Sequence, residues 1–488
     1  MWPPNHHALH ETRRQFLTRG ASVLGTAALA ALTGATHSSH AVPAAGRHGG
    51  LAGLPHFAPK VRNVIFLHMM GGPSQMDLFD YKPRMAELFD KDLPDSVLNG
   101  QRITTMTSVQ KRLPIAPSKY QFARHGQCGM WVSELLPQFA RCVDDVCFIR
   151  SMRTPAINHE PAVTLFQTGN QITGRPSLGS WVSYGLGAMN ENLPAFVVLV
   201  ANSTNVEQVQ ALSSRLWSAG YLPGQHAGVA FRSGGDPVLF LNNPPGVPTD
   251  VRRKTLDGLK ALNELNHRSV GDPETLTRIA QYELAFRLQA SVPELTRITN
   301  EPDSTYQLYG EQAKRSGSFA HTALLARRMV ERGVRFVQIY HNNWDTHSNT
   351  AGRLPAQCND IDQACYGLIQ DLKQRGLFDS TLVIWAGEFG RTIYCQGDLT
   401  RQNYGRDHHG GCFTIWMAGG GVKRGFIFGA TDDFSFNVVS DPVGVHDFHA
   451  TVLHLLGIDH ERFTVNVQGL DSRLTGVESA RVVTEVLE

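Results

Sequence analysis

Five short segments of this chain are nearly continuous runs of apolar residues, many of them β-branched or aromatic. They are Val61–Met69, Ala195–Val200, Val334–Tyr340, Thr381–Ala386 and Phe413–Met417. Apolar runs of this length are typical of strands buried on both faces, as in a parallel sheet. The sequence also predicts helices over Glu274–Ala290, Ala320–Arg332 and Asn359–Arg375, the last with its C-cap at Gly376. The pattern predicts an α/β fold, with a mostly parallel central sheet and helices on both of its faces.

One large folded domain is predicted over residues 61–480. The chain has 488 residues, of which 42% are hydrophobic and 18% charged, and this composition is that of a globular protein. Disordered, collagen-like and coiled-coil proteins are thereby excluded. Residues 205–320 are more polar and helical, and we expect them to form a helical insertion packed on the same domain. Residues 46–60 are rich in glycine, proline and histidine and are predicted to be a linker.

Residues 1–45 are predicted to be a signal peptide. Arg13 and Arg14 precede an uncharged stretch, Gly20–Ala35, which small residues follow as possible cleavage sites. This order resembles a twin-arginine signal, and an apolar stretch of roughly 16 residues is shorter than the ~20 of a spanning helix. We expect export by the twin-arginine machinery to a periplasmic or secreted location, and no membrane span in the mature chain. The alternative is a basic N-terminus that precedes a core helix.

The charge of the mature chain excludes nucleic acid as a main partner. The whole sequence carries a formal net charge of +2. Without residues 1–45, basic and acidic residues are equal in number, at 42 each. A chain near neutrality has no electrostatic basis for binding the phosphate backbone or an anionic membrane.

Polar side chains collect where the predicted strands end. Asp345 and His347 come just after the third apolar segment, and Glu388 comes just after the fourth. His408 lies shortly before the fifth. In parallel sheets the loops at the carboxyl ends of strands converge, and ligands bind there. Two carboxylates and two imidazoles predict a site for one divalent metal ion, zinc, manganese or iron rather than calcium. The alternative is that these side chains only form hydrogen bonds within loops.

The seven cysteines leave disulfide pairing open. None belongs to a C-x-x-C motif, so a zinc ribbon or a thioredoxin-like site is not expected. In an oxidising compartment Cys358 could pair with Cys365, or Cys142 with Cys147. Buried free thiols are the alternative.

Six short motifs follow one another between residues 50 and 480. They are MGGPSQMDLFD (70–80), NHEP (158–161), WDTH (344–347), GEFGR (387–391), GRDH (405–408) and VHDFHATVLHLLG (445–457). Their order resembles the alkaline phosphatase and sulfatase superfamily. In particular it resembles the sulfatase-like, twin-arginine-exported family called domain of unknown function 1501. The resemblance implies an α/β domain of that type and a metal-assisted reaction on an ester.

The sequence departs from the better-known hydrolases of that superfamily. Their metal-binding aspartate after the first strand is missing, and the nearest carboxylates are Asp77 and Asp80. Their Asp-His pair is replaced by Glu388-Phe389, which removes one imidazole. His159 stands where sulfatases carry the residue that forms the catalytic aldehyde, so a sulfatase mechanism of that type is not expected. The remaining residues would hold one metal ion rather than two.

Two residues are candidates for catalysis. His159 could act as a nucleophile or as a general acid toward a leaving oxygen, because imidazole titrates near neutral pH. Ser74 follows Gly71 and Gly72, and its hydroxyl, with the two glycine amides, could stabilise a substrate oxyanion. The alternatives are a histidine that bonds neighbouring loops and a turn serine.

Arg391 and Arg406 are candidates for binding a phosphate or sulfate group, because a guanidinium holds such anions through two hydrogen bonds. Each could instead pair with Asp407 or Glu388. The leading hypothesis for function is therefore an exported, metal-dependent hydrolase of anionic esters, with a small anionic or glycan ester as substrate. The alternative is a catalytically degenerate protein that binds an anionic glycan or a partner protein.

Export provides a test of the signal peptide. We expect the double substitution Arg13→Lys and Arg14→Lys to block export, because the twin-arginine transporter recognises the guanidinium pair. Cell fractionation and immunoblotting measure the exported fraction. Unchanged export of the double variant would contradict the assignment.

Overall fold

The computed structural model describes residues 49–204, 210–232, 237–238, 242–243 and 246–488. The predicted signal peptide lies outside these residues, as do parts of the predicted linker and of the predicted insertion. The described part of the linker lies against the domain. The Leu51 N–H donates to the Gly185 carbonyl over 2.9 Å, and the Lys60 N–H donates to the Leu455 carbonyl over 2.8 Å.

The strands of the described residues are numbered in chain order. They are β1 (Asn63–Met69), β2 (Phe122–His125), β3 (Met130–Ser133), β4 (Val146–Arg153), β5 (Phe196–Ala201), β6 (Val229–Phe231), β7 (Phe336–His341), β8 (Thr381–Ala386), β9 (Gly390–Gln396), β10 (Gly405–His409), β11 (Phe413–Gly419), β12 (Phe426–Phe428), β13 (Ala430–Thr431), β14 (Val438–Ser440), β15 (Val443–Gly444), β16 (Val465–Val467) and β17 (Leu470–Ser472).

The α-helices are numbered in the same way. They are α1 (Gln75–Leu78), α2 (Asp95–Leu98), α3 (His159–Thr168), α4 (Leu178–Leu186), α5 (Thr249–Val270), α6 (Pro273–Thr296), α7 (Asp303–Tyr309), α8 (Phe319–Glu331), α9 (Thr350–Gln374) and α10 (Val445–Leu455). Short 3-10 helices lie at Pro83–Leu88, Phe139–Asp145, Ser214–Trp217, Gly224–His226, Ile298–Asn300, Glu311–Lys314, Phe378–Ser380 and Thr484–Val486. None of the helices that the structure describes is both long and apolar enough to cross a membrane.

Nine strands form one central sheet in the order β12-β4-β11-β8-β1-β7-β5-β6, with β15 beside β4. β1 pairs in parallel with β7 and β8, and β5 pairs in parallel with β6 and β7. Only β11 runs against its neighbours, β8 and β4. The prediction of an α/β fold with a mostly parallel sheet is therefore confirmed. The apolar run of β11 showed that it is a buried strand, but not its direction.

Helices cover both faces of the sheet, so the apolar residues of each central strand divide between two cores. In β1, Ile65, Leu67 and Met69 belong to the core under α6, α8 and α9. Val64 and Phe66 belong to the opposite core, under α3, α4 and α10. Successive side chains of a strand point to opposite faces, so a strand covered on both sides must be apolar at nearly every position. The unbroken apolar runs of the sequence have this cause.

The third predicted helix begins earlier than the sequence indicated. α9 begins at Thr350, nine residues before the predicted start at Asn359, and contains Pro355 in its second turn. A proline lacks the N–H that would bond the carbonyl four residues earlier, which here belongs to Ala351. The Tyr120 hydroxyl donates to that carbonyl over 3.1 Å, so the helix continues through the proline. Gly376 follows the helix with φ at 67°, as predicted for its C-cap region.

The predicted insertion, residues 205–320, contains a helical hairpin. α5 and α6 are joined at Gly271, where φ is 70°, and the Asp272 side chain caps α6 by accepting the Glu274 N–H. An ion pair between Arg253 and Glu283 connects the two helices. The same region also contributes β6 to the edge of the central sheet, which the sequence analysis missed because this strand is only three residues long.

All seven cysteine thiols are free. The proposed partners Cys358 and Cys365 lie two turns apart on α9, a rise of about 10 Å, whereas disulfide-bonded Cα atoms lie within roughly 7 Å of each other. The structure therefore has the free thiols that the sequence analysis gave as the alternative to disulfides. Burial raises the pKa of the Cys142 and Cys147 thiols, the latter to about 12, so both are protonated near neutral pH.

The core contains histidines that are neutral because they are buried. His449 on α10 is fully buried, its Nε2 lies 2.8 Å from the Phe166 carbonyl oxygen, and burial lowers its pKa to about 3. In the unfolded chain the same imidazole titrates near 6.5. Between these values the unfolded state binds the proton and the folded state does not, so the free energy of unfolding falls as the pH decreases below 6.5.

We expect His449→Gln to reduce this pH dependence, because glutamine can replace the hydrogen bond and does not titrate. Between pH 7 and pH 5 the variant should lose about 2 kcal/mol less free energy of unfolding than the wild type. Urea unfolding at the two pH values provides the measurement, and each protein at pH 7 serves as its own control. Parallel losses in both proteins would show that His449 does not contribute to acid lability.

Candidate metal site

The predicted metal ligands lie together beyond the carboxyl ends of the parallel strands of the central sheet. Asp345 and His347 follow the carboxyl end of β7, and Glu388 follows that of β8. His408 lies in β10, ahead of β11. Because β11 runs antiparallel, the segment before it reaches the edge at which the parallel strands end. His159 comes to the same place as the first residue of α3.

Four side chains converge there. One ligand atom each from His159, Asp345, His347 and His408 lies within 4.8 Å of the others. Asp345 Oδ1 lies 2.9 Å from His347 Nε2, 3.2 Å from His159 Nε2 and 3.5 Å from His408 Nε2. The Nε2 atoms of His347 and His408 are 2.9 Å apart. The centre of the group is thus formed by three imidazole nitrogens and one carboxylate oxygen.

The other ring nitrogen of each histidine faces an oxygen acceptor. His159 Nδ1 lies 2.6 Å from Glu388 Oε1, and His408 Nδ1 lies 2.9 Å from the Ile157 carbonyl oxygen. His347 Nδ1 lies 2.6 Å from Gln396 Oε1. Because these oxygens accept, Nδ1 carries the proton in a neutral ring, and the Nε2 lone pair faces the centre of the cluster.

These four residues fit a divalent transition metal ion. Bond lengths of about 2.0–2.1 Å to nitrogen and oxygen place neighbouring ligand atoms about 3.3 Å apart in a tetrahedron. The distances from Asp345 Oδ1 to the three nitrogens, 2.9–3.5 Å, bracket this value. Three lone pairs and a carboxylate oxygen at such separations repel one another unless a cation lies between them. Hydrogen bonds at the outer nitrogens are also the arrangement that metal-binding histidines usually have.

Glu388 differs from its prediction as a metal ligand. Its side chain is fully buried, and Oε1 contacts His159 Nδ1 on the side away from the cluster. The Gly71 N–H donates to both Glu388 oxygens, over 2.9 and 3.2 Å. Glu388 therefore orients His159 rather than facing the centre, and His159 takes its place among the four converging side chains. Gly71, expected to contribute its amide to an oxyanion, instead holds this carboxylate.

The charges of the site stabilise one another. Burial opposes ionisation of Asp345, but the Arg391 guanidinium and the three imidazoles hold the pKa of this carboxyl well below its usual range. Burial also opposes ionisation of Glu388, and the hydrogen bond from His159 lowers its pKa. Burial lowers the pKa of His408 to about 4, so this imidazole is neutral. Burial lowers the pKa of His159, but the hydrogen bonds to Asp345 and Glu388 outweigh it and raise the pKa overall.

Arg391 is not placed to bind a substrate anion, contrary to the prediction. Its side chain is fully buried. The guanidinium donates to the carbonyls of Gly71, Gly72 and Arg406 and, over 2.6 Å, to Asp345 Oδ1. The partner is Asp345 rather than Asp407 or Glu388. Arg391 thus holds a residue of the cluster in position from inside the protein.

Arg406 and Ser74 belong to a second buried group, centred on Asp77. Arg406 Nε donates to Asp77 Oδ2 over 2.7 Å, and both side chains are fully buried. The remaining guanidinium donors of Arg406 bond backbone carbonyls or the same carboxylate. Ser74 Oγ donates to Asp77 Oδ2 over 2.6 Å, and Tyr404 completes the group by donating to Oδ1 over 2.9 Å. In this structure Arg406 and Ser74 therefore hold Asp77, and their roles toward a substrate anion stay predictions.

Two residues that contact the cluster were not predicted. Gln396 orients His347, and Gln210 donates from Nε2 to Asp345 Oδ2 over 3.0 Å. Gln396 ends β9, which pairs with β10, so the hairpin brings it beside the cluster. Neither glutamine carried a signal in the sequence, because both lie outside every predicted strand and motif.

Comparison of the chain with protein families confirms the family that its motifs predicted. Residues 61–487 match the sequence profile of DUF1501, which is described as a protein of unknown function. The chain therefore belongs to the DUF1501 family. Comparison with curated proteins gives no significant match.

Several solved structures are similar to this chain. The PsFucS1 sulfatase from Pseudoalteromonas sp. is 14% identical, with 83% of this chain and 69% of that chain covered and a TM-score of 0.32. The alkaline phosphatase from the Antarctic bacterium TAB5 is 12% identical, with 82% and 99% covered and a TM-score of 0.32. The phosphonate monoester hydrolase SpPMH from Silicibacter pomeroyi is 10% identical, with 81% and 73% covered and a TM-score of 0.29. Similarities at this level do not transfer an activity to this chain.

We expect Glu388→Gln to weaken metal binding about 10–100-fold, because the neutral amide orients His159 without supplying a negative charge. Competition with a chromophoric chelator measures the metal affinity. Ser74→Ala is the matched control at the neighbouring buried group. It should keep the metal affinity but lose about 1–3 kcal/mol of unfolding free energy, because Asp77 loses a donor. Equal metal affinities of Glu388→Gln and wild type would contradict the orienting role.

Proposed function

We propose that this protein binds one divalent metal ion through His159, Asp345, His347 and His408 and hydrolyses a phosphate or sulfate ester. One observation carries the proposal. Three imidazole Nε2 atoms face a single carboxylate oxygen, while each outer Nδ1 has its own acceptor. A group built only for loop stability would not need three histidines with the same orientation.

The chemistry of the donors favours zinc, manganese or iron. Imidazole nitrogen suits these metals, whereas calcium and magnesium prefer sets of oxygen ligands. When bound, such an ion would supply Lewis-acid chemistry toward an ester oxygen or a water molecule. The chain contributes the orientation of the ligands, through Glu388, Gln396 and the Ile157 carbonyl.

The charge balance supports an anionic substrate. Asp345 and Glu388 contribute two negative charges, and Arg391 contributes one positive charge. With a divalent ion the buried group carries one net positive charge. In a site with little access to water, such a charge attracts an anion more strongly than it would in bulk solvent.

The buried contacts also support attack by water rather than by a side chain. Ser74 donates its hydroxyl proton to Asp77, and the Nε2 of His159 faces the cluster. Neither of these two candidate catalytic side chains is free to attack a substrate as the side chains lie. The reaction that these residues support is therefore hydrolysis without a covalent intermediate on Ser74 or His159.

The internal contacts of the predicted catalytic and anion-binding residues favour a second candidate function. Both predicted catalytic residues and both predicted anion-binding arginines are held by internal contacts. A metal-binding protein with these contacts could bind an anionic glycan or a partner protein without turnover. Metal content does not separate the two functions, but turnover does.

We also propose that the protein acts outside the cytoplasm after export by the twin-arginine machinery. Arg13 and Arg14 ahead of an uncharged apolar stretch support this location. The transporter carries folded proteins, so the metal could be bound before export.

Metal analysis and turnover test the function together. We expect the purified protein to contain about one zinc, manganese or iron ion per chain and to hydrolyse p-nitrophenyl phosphate, bis-p-nitrophenyl phosphate or p-nitrophenyl sulfate. Asp345→Ala should lose both the metal and the hydrolysis, because it removes the carboxylate that the imidazoles share. Elemental analysis after dialysis against a weak chelator and a colorimetric assay provide the measurements.

The Ser74→Ala variant is again the control and should retain metal and turnover. Equal metal content of wild type and Asp345→Ala would contradict the site. Stoichiometric metal without hydrolysis of any of the three esters would contradict the enzyme and favour the binding protein.

A further inference from the structure

Arg215 lies on a segment that borders the metal cluster. Gln210, at one end of this segment, donates to Asp345 Oδ2 over 3.0 Å. At the other end, Ser214–Trp217 forms a 3-10 helix against α3, the helix that begins with His159. Arg215 therefore lies between a contact to one residue of the cluster and the helix that carries another.

Among the residues that the structure describes, the guanidinium of Arg215 has one carboxylate partner. Nη1 donates to Oε1 of Glu160, the residue that follows His159. The Arg215 side chain is 33% exposed and that of Glu160 is 66% exposed. Arg215 Nε has no hydrogen-bond partner among the described residues. Ion pairs with this exposure contribute little to stability, so an incoming anion can replace the glutamate at little cost.

Arg215 differs in exposure from the two arginines that the sequence analysis predicted to bind a phosphate or sulfate group. Arg391 and Arg406 are fully buried and hold Asp345 and Asp77, whereas Arg215 keeps a partly exposed guanidinium. We propose that Arg215 binds the phosphate or sulfate group of the substrate at the metal site and exchanges Glu160 for oxygens of that group. The proposal rests on the function proposed above and names the residue that recognises the anion. A guanidinium suits this task because it can donate two parallel hydrogen bonds to such a group.

The test uses the metal-loaded protein and inorganic phosphate and sulfate as probes, with affinities from isothermal titration calorimetry. Arg215→Gln should weaken the binding of both anions about 10-fold or more, because a charged hydrogen-bond donor is lost. Arg215→Lys should recover part of the affinity, since it keeps the charge but not the paired donors. Glu160→Gln should strengthen binding, because it removes the competing carboxylate. The double variant should bind as weakly as Arg215→Gln alone.

Arg424→Gln is the matched control. Arg424 forms a similar exposed ion pair with Asp379, at 41% and 82% side-chain exposure. Asp379 precedes β8 and Arg424 follows β11, so this pair lies at the opposite edge of the sheet from the cluster. The control should bind phosphate and sulfate like the wild type.

Metal content, measured for every variant, separates the two proposals. Absence of metal from a wild-type protein offered zinc, manganese or iron would contradict the proposed function. Full metal content with equal anion affinities of wild type and Arg215→Gln would overturn the role of Arg215 alone. Absence of phosphate and sulfate binding by the metal-loaded wild type would overturn it as well.

Discussion

The site depends on the contacts that the carboxylate of Asp345 makes. Its Oδ1 is shared by three imidazoles and the Arg391 guanidinium. The backbone that carries it is packed against the turn after β1. Gly71 lies there with φ at 115°, and a Cβ at this position would collide with the Asp345 backbone nitrogen. The two neighbouring strand ends thus approach each other as closely as a glycine allows, and this approach also brings the Gly71 amide onto Glu388.

The direction of β11 completes the site. If this strand were parallel to β8, the segment that precedes it would lie at the opposite edge of the sheet. The hairpin of β9 and β10 lies between β8 and β11 in the chain, and it places His408 across from Arg391 in the strand pair. One connection therefore delivers an imidazole for the cluster and the guanidinium that holds Asp345. His408 and Arg391 thus come from one segment of fewer than twenty residues, although one belongs to the cluster and the other holds Asp345 from inside the protein.

The sequence predicted the fold well because its signal is physical. A strand buried on both faces is apolar at most positions, as β1, β7 and β8 are, so their ends could be located. For the same reason it placed Asp345 and His347 just after a strand end, whereas the position of His408 depends on the direction of β11, which the apolar pattern did not show. It predicted Glu388 rather than His159 as the fourth member, because both loops reach the carboxyl ends of the parallel strands and only side-chain orientation separates them. It also gave no sign that Arg391 and Arg406 are buried, since charged residues are seldom fully buried and their partners, Asp345 and Asp77, are distant in sequence.

The two buried arginines hold the cluster in position from inside the protein. Removal of one partner from a buried ion pair costs about 3–5 kcal/mol, since the other charge remains without compensation. Arg391–Asp345 and Arg406–Asp77 lie next to each other, and Arg391 also donates to the Arg406 carbonyl. Movement of Asp345 would therefore disturb both pairs. If the cluster binds a metal as proposed, these contacts keep the ligands oriented before a substrate arrives. The buried arginines are then occupied in positioning the proposed ligands, so the proposed recognition of an anion requires a different, more exposed cation.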